Sequence, residues 1–268
     1  MKTKQNFTKK DFIVTLTCIV FLLANIAAIG TNGRRRAKEA VCLSNLQNWA
    51  NIFKAFINDN DGYFMQGFYV DGQSWYAALR PYYGETESKQ DIRADIKCCP
   101  EAVKTDSGIS GSTFEAWGGP DSWAFVDGKV GDYGSYGLNS CIPDAPSQGT
   151  DYWRRADVAG AGNIPLLLDC IWPSGYPWWT NTPPEYPGAL FWSGATGAGM
   201  GSFCIPRHYG AINGLFLDFS ARKIGLKELW LLKWCRTYDV SRARKNEPDW
   251  ENIGTGWMAP LKDYDYTP

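Results

Sequence analysis

The chain has 268 residues, 44% of them hydrophobic and 21% charged, which is enough apolar material for a full core and excludes a disordered chain. Its formal net charge of -1 gives no basic field of the kind that draws a protein to nucleic acid, so no nucleic-acid partner is expected. Aromatic side chains reach 15%, beside 28 Gly and 15 Pro that interrupt helices, a mixture that points to a loop-rich body packed by rings.

Residues 1–11 are polar and Lys-rich. Residues 12–29, FIVTLTCIVFLLANIAAI, form an uncharged run about 27 Å long as a helix, close to the thickness of a bilayer's hydrocarbon core. The run predicts a single transmembrane helix, with a cleaved secretory signal as the alternative. Positive charge flanks it on both sides, Lys2, Lys4, Lys9 and Lys10 before and Arg34, Arg35, Arg36 and Lys38 after, so charge alone leaves orientation open.

The GTNG stretch at 30–33 predicts a bend or break. Helical period resumes over residues 34–58, where Leu43, Leu46, Ala50, Phe53 and Ile57 recur on one side and Ser44, Gln47, Asn48, Asn51 and Lys54 fall elsewhere, an amphipathic helix. NDNDGY at 58–63 ends it. From residue 59 on the chain reads as a globular head of strands and long loops, with GYFMQGFYV, SYGLNS, IPLLLDCIW and GLFLDF as strand candidates and LKELWLLKWCRTY as the late helix.

The N-terminal NFTKKDF ahead of an apolar helix, then AKEAVCLSNLQNWANIFKAFINDNDGYF, CPEA, PLLLDCIW and RHYGAINGLFLDFSARKIGLKELWLLKW, resemble the type IV pilin-like proteins or pseudopilins. The likeness is to the branch with a prepilin-type N-terminus and a C-terminal motif of His, nine residues, then Asp-Gly. The resemblance implies an α+β fold with one long N-terminal helix packed on an antiparallel β-sheet. It also implies a cytoplasmic N-terminus, a membrane-held precursor, a head outside the cytoplasmic membrane, and assembly with like subunits into a filament or secretion pseudopilus rather than catalysis. A prepilin peptidase is an implied partner. Asn6 stands where the family has the Gly before the cut, Phe7 matches the new terminus, Lys9 and Lys10 replace apolar residues, and Asp11 replaces a Glu. If Asn6 blocks cleavage, the chain stays a simple anchored membrane protein.

The motif residues Arg207, His208, Asn213 and Asp218 are expected to be structural. His208, the single histidine, is expected at a strand start with hydrogen bonds to the main chain. Phe219 replaces the motif's Gly, and a changed turn type is expected because Phe at positive φ costs roughly 1 kcal/mol. No catalytic residue is marked: no G-x-S-x-G, H-E-x-x-H or P-loop pattern occurs, and an anchored hydrolase using Asp and His ranks behind the other readings. No cofactor is expected. Asp59 and Asp61 carry a fragment of a calcium loop, but Ile57 stands at its first position and no Glu closes it, so a helix-ending turn is the preferred reading. One histidine and no C-x-x-C argue against zinc.

Cys18 lies in the apolar run, which leaves Cys42, Cys98, Cys99, Cys141, Cys170, Cys204 and Cys235 in the body. Outside the cytoplasm some of these would pair, and their odd number leaves at least one unpaired within the head; in a reducing compartment they would be buried thiols. The Pro-rich loop at 172–192 concentrates Trp172, Trp178, Trp179 and Trp192. These rings either pack the core or stack on sugars, the latter making a carbohydrate-binding or adhesive head the chief alternative function.

Overall fold

The computed structural model describes residues 8–66, 74–83, 94–102, 111–118, 133–145, 149–188, 198–245 and 256–264. They form a mixed α+β protein with two compact units, residues 1–38 and 39–268. Asn6, Phe7 and Trp192 lie outside the described residues, as does the later part of the predicted GYFMQGFYV strand.

Helix α1 runs from Lys9 to Asp59 and is helical through Gly30 and Gly33, so the predicted interruption is absent. Neither glycine has an atom near enough to contact an added methyl; their cost is only the weaker helix propensity of Gly, about 1 kcal/mol each. Its start is a capping box. Thr8 donates its N–H and hydroxyl to Asp11 Oδ2 at 2.9 and 2.7 Å, and Asp11 N–H returns to Thr8 Oγ1 at 3.3 Å. Residues 12–23 expose apolar side chains such as Phe12, Ile13, Val20 and Leu23. Among the described residues no helix is long and apolar enough to cross a membrane; the side chains of 24–29, the rest of the predicted span, are not described.

In the second unit the predicted stripe is buried, with one shift. Cys42, Leu46, Trp49, Ala50 and Phe53 enter the core while Leu43 and Ile57 sit at its border, and the polar residues 44, 47, 48, 51 and 54 face solvent. Helix α2, Trp75–Tyr83, buries Trp75, Tyr76, Leu79 and Tyr83. Trp49 meets the rings of Trp75 and Tyr83 edge-on at 5.3 Å each and donates its indole N–H to Ile96 O at 2.8 Å. Aromatic density is thus spent on fixing α1 in the head.

The sheets comprise β1 (Trp117–Gly118), β2 (Tyr133–Gly134), β3 (Tyr136–Asn139), β4 (Pro165–Asp169), β5 (Ser174–Gly175), β6 (Ala211–Phe216) and β7 (Ala221–Gly225). β1 and β2 form an antiparallel pair, and the main sheet has the order β5-β3-β4-β6-β7. It is mixed rather than wholly antiparallel, because β5 runs parallel to β3. Strand β4 is buried along its whole length and therefore reads as a continuous apolar run, as a central strand covered on both faces does. The predicted late helix is instead a short 3-10 turn, Lys227–Leu231, and α4 lies beyond it at Val240–Lys245, with short α3 at Ala198–Gly201.

The β6–β7 hairpin corrects the expectation for Phe219. The loop keeps the geometry that favours Gly: Phe219 has φ 67, Phe216 N–H donates to Ser220 O at 2.9 Å and Phe219 N–H to Phe216 O at 2.8 Å, a three-residue hairpin turn closed by a left-handed residue. Asp218 holds this turn by accepting the Ser220 N–H and hydroxyl at 2.9 and 2.6 Å. The half-buried Phe219 ring packs against the core, with Lys54 Nζ 5.1 Å from its centroid, which offsets the strain. Asp218→Ala should lower stability by about 1 kcal/mol, seen as an earlier urea midpoint with unchanged slope.

Candidate functional site

Strand β4 supplies apolar side chains up to Leu168 and then ends on Asp169, a carboxylate with no exposed surface. Alone it would suffer a desolvation penalty of several kcal/mol. Arg207, equally buried, answers it with Nη1 3.0 Å from Oδ1. The same guanidinium donates to the carbonyls of Thr113, Ser135, Ser112 and Cys170 at 2.8, 2.7, 3.1 and 3.4 Å, so one side chain knits four loop and strand oxygens around the carboxylate. Asp169 Oδ2 accepts the Asn213 N–H at 2.9 Å and faces His208 Nε2 at 3.2 Å.

Two thiols complete the group. Cys42, on the buried stripe of α1, places Sγ 3.8 and 3.7 Å from the two Asp169 oxygens and accepts the Tyr136 hydroxyl at 3.4 Å. Cys99 follows the 3-10 turn Ala94–Lys97 and is fixed by its N–H on Ser135 Oγ at 2.6 Å; its Sγ lies 3.2 Å from His208 Nε2. His208 is aimed inward by a tight turn before β6. Tyr209 and Gly210 both have positive φ, 55 and 73, and His208 N–H meets Ala211 O at 2.8 Å, so two successive left-handed residues reverse the chain there. One ligand-type atom from each of Cys42, Cys99, Asp169 and His208 falls within 4.8 Å of the others, and all four residues are buried.

The charges are mutually supported. Burial raises the Asp169 carboxyl, but Arg207 and then His208 outweigh it and hold the group below its usual range. Burial lowers His208, while its contacts with Asp169 and Cys99 raise it to about 10. Burial raises the Cys99 thiol, yet the hydrogen bond with Cys42, the neighbouring His208 and the charge of Arg207 bring it down to about 7. Burial, reinforced by Cys99 and Asp169, keeps the Cys42 thiol well above its ordinary value.

A thiol beside an imidazole beside a carboxylate has the composition of a nucleophilic triad, but not its geometry. In a relay the base accepts from the nucleophile on one ring nitrogen and is oriented by the acid through the other. Here both Cys99 and Asp169 face Nε2, and Cys99 and Asp169 have no exposed surface to meet a substrate. The arrangement converges on a point instead of forming a chain.

The motif residues named from sequence divide accordingly. Arg207, His208 and Asn213 gather around Asp169, and Asp218 belongs to the hairpin turn. The side chain of His208 meets a carboxylate and a thiol rather than the main chain, which corrects the expectation. Asp11 caps α1. Asp59 and Asp61 belong to the helix-ending turn, where Gly62 N–H reaches Ile57 O at 2.7 Å and Asp61, at φ 52, offers its carbonyl to Arg155 at 3.0 Å; among the described residues they join no metal-type cluster. Trp172, Trp178 and Trp179 are half-buried and packed against the core. Cys141 and Cys235 form a disulfide, while Cys18, Cys42, Cys98, Cys99, Cys170 and Cys204 are thiols. The chain matches no protein-family model, no curated protein and no solved structure.

Sequence reasoning missed Cys42, Cys99 and Asp169 as partners of His208. Each stands in a quoted segment, VCLSNL, CPEA and LLLDCIW, but no local spacing links them. Spacing along the chain carries no information on this group, since its four members come from four separate parts of the chain.

Proposed function

We propose that the chain is a non-catalytic structural subunit of a type IV pilus-like filament or a type II secretion-like pseudopilus, with its head outside the cytoplasmic membrane. The observation that carries this reading is α1. Over residues 12–23 the helix leaves Phe12, Ile13, Val14, Leu16, Ile19, Val20, Phe21, Leu22 and Leu23 between 47% and 68% exposed, whereas over Cys42–Phe53 the same helix supplies the core of a folded head. Contiguous apolar surface of this kind calls for a cover. Like helices in a filament provide it, and the membrane provides it before assembly. The Cys42–Cys99–Asp169–His208 group supports a structural role for the head, since it ties the helix to the sheet with all four side chains buried.

In pilins the acid near the mature start meets the neighbouring subunit's amino terminus. Asp11 already has its partner in Thr8, so assembly here relies on the apolar helix surface. The test is Ile19→Arg, made in the native host. Filaments seen by electron microscopy of the wild type should vanish in the variant while the melting temperature of the head is unchanged. Filaments of normal length in Ile19→Arg would sink the reading. N-terminal sequencing of the assembled protein decides processing: a start at N-methylated Phe7 establishes the peptidase as a partner, and a retained Met1 or Lys2 leaves an anchored head.

A second reading rests on a separate observation. Tyr176, 39% exposed, stacks on Trp178 at 6.1 Å, Trp178 lies 3.8 Å from Trp179, and Arg242 covers Trp179 at 5.7 Å. A ring ladder of this type at a surface suits carbohydrate, so the head acts as an adhesive module. Retention on a polysaccharide column that is lost in Tyr176→Ala supports it, and passage of the wild type in the void volume rejects it.

A further inference from the structure

We infer that Cys42, Cys99, Asp169 and His208 form a structural zinc site that fastens α1 to the head. The donor set is two thiols, an imidazole nitrogen and one carboxylate oxygen, which is the soft and borderline chemistry that selects Zn2+ in tetrahedral coordination. Bonds of ordinary Zn–S, Zn–N and Zn–O length set the edges of such a tetrahedron at roughly 3.3–3.8 Å. Three of the six edges are 3.2 Å from Cys99 Sγ to His208 Nε2, 3.2 Å from His208 Nε2 to Asp169 Oδ2, and 3.7 Å from Cys42 Sγ to Asp169 Oδ2, and all four atoms lie within 4.8 Å of one another.

Three further features fit. Cys99 and Asp169 aim at the same imidazole nitrogen, which suits a cation at their common focus and suits a proton relay poorly. The carboxylate is held from outside by Arg207 on Oδ1 and by the Asn213 N–H on Oδ2, the kind of outer support that orients a metal ligand. Two thiolates, one carboxylate, Zn2+ and the Arg207 guanidinium sum to zero charge, so the filled centre places no net charge in the core. Binding requires both cysteines as thiolates and His208 neutral at Nε2, so the protons held on Cys42 Sγ, Cys99 Sγ and His208 Nε2 leave to solvent as the metal enters. Cys141 and Cys235 are joined by a disulfide, whereas Cys42 and Cys99 are thiols.

The inference is independent of filament assembly, because it concerns only the head. The experiment uses the full-length chain purified in detergent, with zinc chloride and, in parallel, cobalt chloride as probes. One zinc per chain is expected by elemental analysis, together with a thiolate-to-cobalt charge-transfer band and the intense visible bands of tetrahedral cobalt. Cys99→Ser and His208→Ala should each weaken zinc binding more than about 100-fold, and Arg207→Lys about 10–100-fold through the loosened carboxylate. Cys204→Ser, a buried thiol outside the group, should bind as wild type. Should a ligand variant fail to fold, alkylation of the folded wild type with and without chelator decides alone, and alkylation after denaturation without reductant reveals any disulfide. Thiols of Cys42 and Cys99 that are protected by zinc and freed by chelator support the site. A Cys42–Cys99 disulfide, two free thiols that take up no metal, or zinc retained in both ligand variants overturns it.

Discussion

Asp169→Asn is expected to lower the stability of the head by about 3–5 kcal/mol, the cost of leaving a buried charge without its partner. The carboxamide keeps the shape and one acceptor for Arg207 but turns a donor toward the Asn213 N–H, so the loss combines the charge with that hydrogen bond. Arg207 has no exposed surface and cannot turn to water without breaking its bonds to four carbonyl oxygens. Arg207→Met should be at least as damaging, because it strips the donor from those carbonyls as well as removing the counter-charge, and each orphaned buried acceptor costs about 1–3 kcal/mol. Urea unfolding in the presence of chelator measures both without any contribution from bound metal. Single domains have only about 5–15 kcal/mol in total, so a partly unfolded population in Arg207→Met at low urea is expected. A wild-type midpoint for Asp169→Asn would mean that the ion pair is not what holds this corner together.

The second large effect concerns the disulfide. Cys141, just past β3, is bonded to Cys235, beyond the 3-10 turn, across a sequence separation of 94. Closing a loop of that length restricts the unfolded chain by up to roughly 4.7 kcal/mol in the chain-entropy view, and measured losses for native bridges run at about 2–5 kcal/mol. The native state around the bridge has its own ties: Asn139 donates its amide to Pro165 O and Trp234 O at 2.9 and 2.8 Å and accepts the Cys141 N–H at 3.0 Å. Those bonds keep the folded geometry, so the loss in a Cys141→Ser, Cys235→Ser double variant falls on the unfolded ensemble. The expected signature is a midpoint shift with a larger denaturant slope as the unfolded chain expands. An unchanged midpoint in the double variant would exclude a stabilising bridge.

Much of the fold is legible along the chain because it depends on neighbours in sequence. The stripe through Leu46, Ala50 and Phe53 announces a helix face, and SYGLNS, IPLLLDCIW and GLFLDF announce strands β3, β4 and β6. The continuous helix through Gly30 and Gly33 was not readable, since the expected break rested on two residues whose helix penalty is small against a long run of hydrogen bonds. LKELWLLKWCRTY carries helical spacing, yet Trp230 and Trp234 send their indoles to Asn181 O and Leu229 O at 2.7 Å, and tertiary anchoring of the rings overrides local propensity. Phe219 kept a left-handed turn that its own preference opposes, because the Asp218 side chain and the core contacts of the ring hold it there. The buried cluster is the extreme case: Cys42, Cys99, Asp169 and His208 are each ordinary in context, and only the crossing of α1, a loop, β4 and the turn before β6 brings them together.

The burial of Cys42, Leu46, Trp49 and Phe53 also redraws where the head begins. Sequence pattern sets the boundary at residue 59, after the helix, whereas the compact second unit starts at Glu39. Glu39 itself is tied to the sheet through Lys223 at 2.9 Å. Proteolysis among the exposed arginines at 34–36 is therefore expected to leave a folded fragment from Glu39 onward, whereas a cut after Asp59 separates the head from the helix face that fills its core.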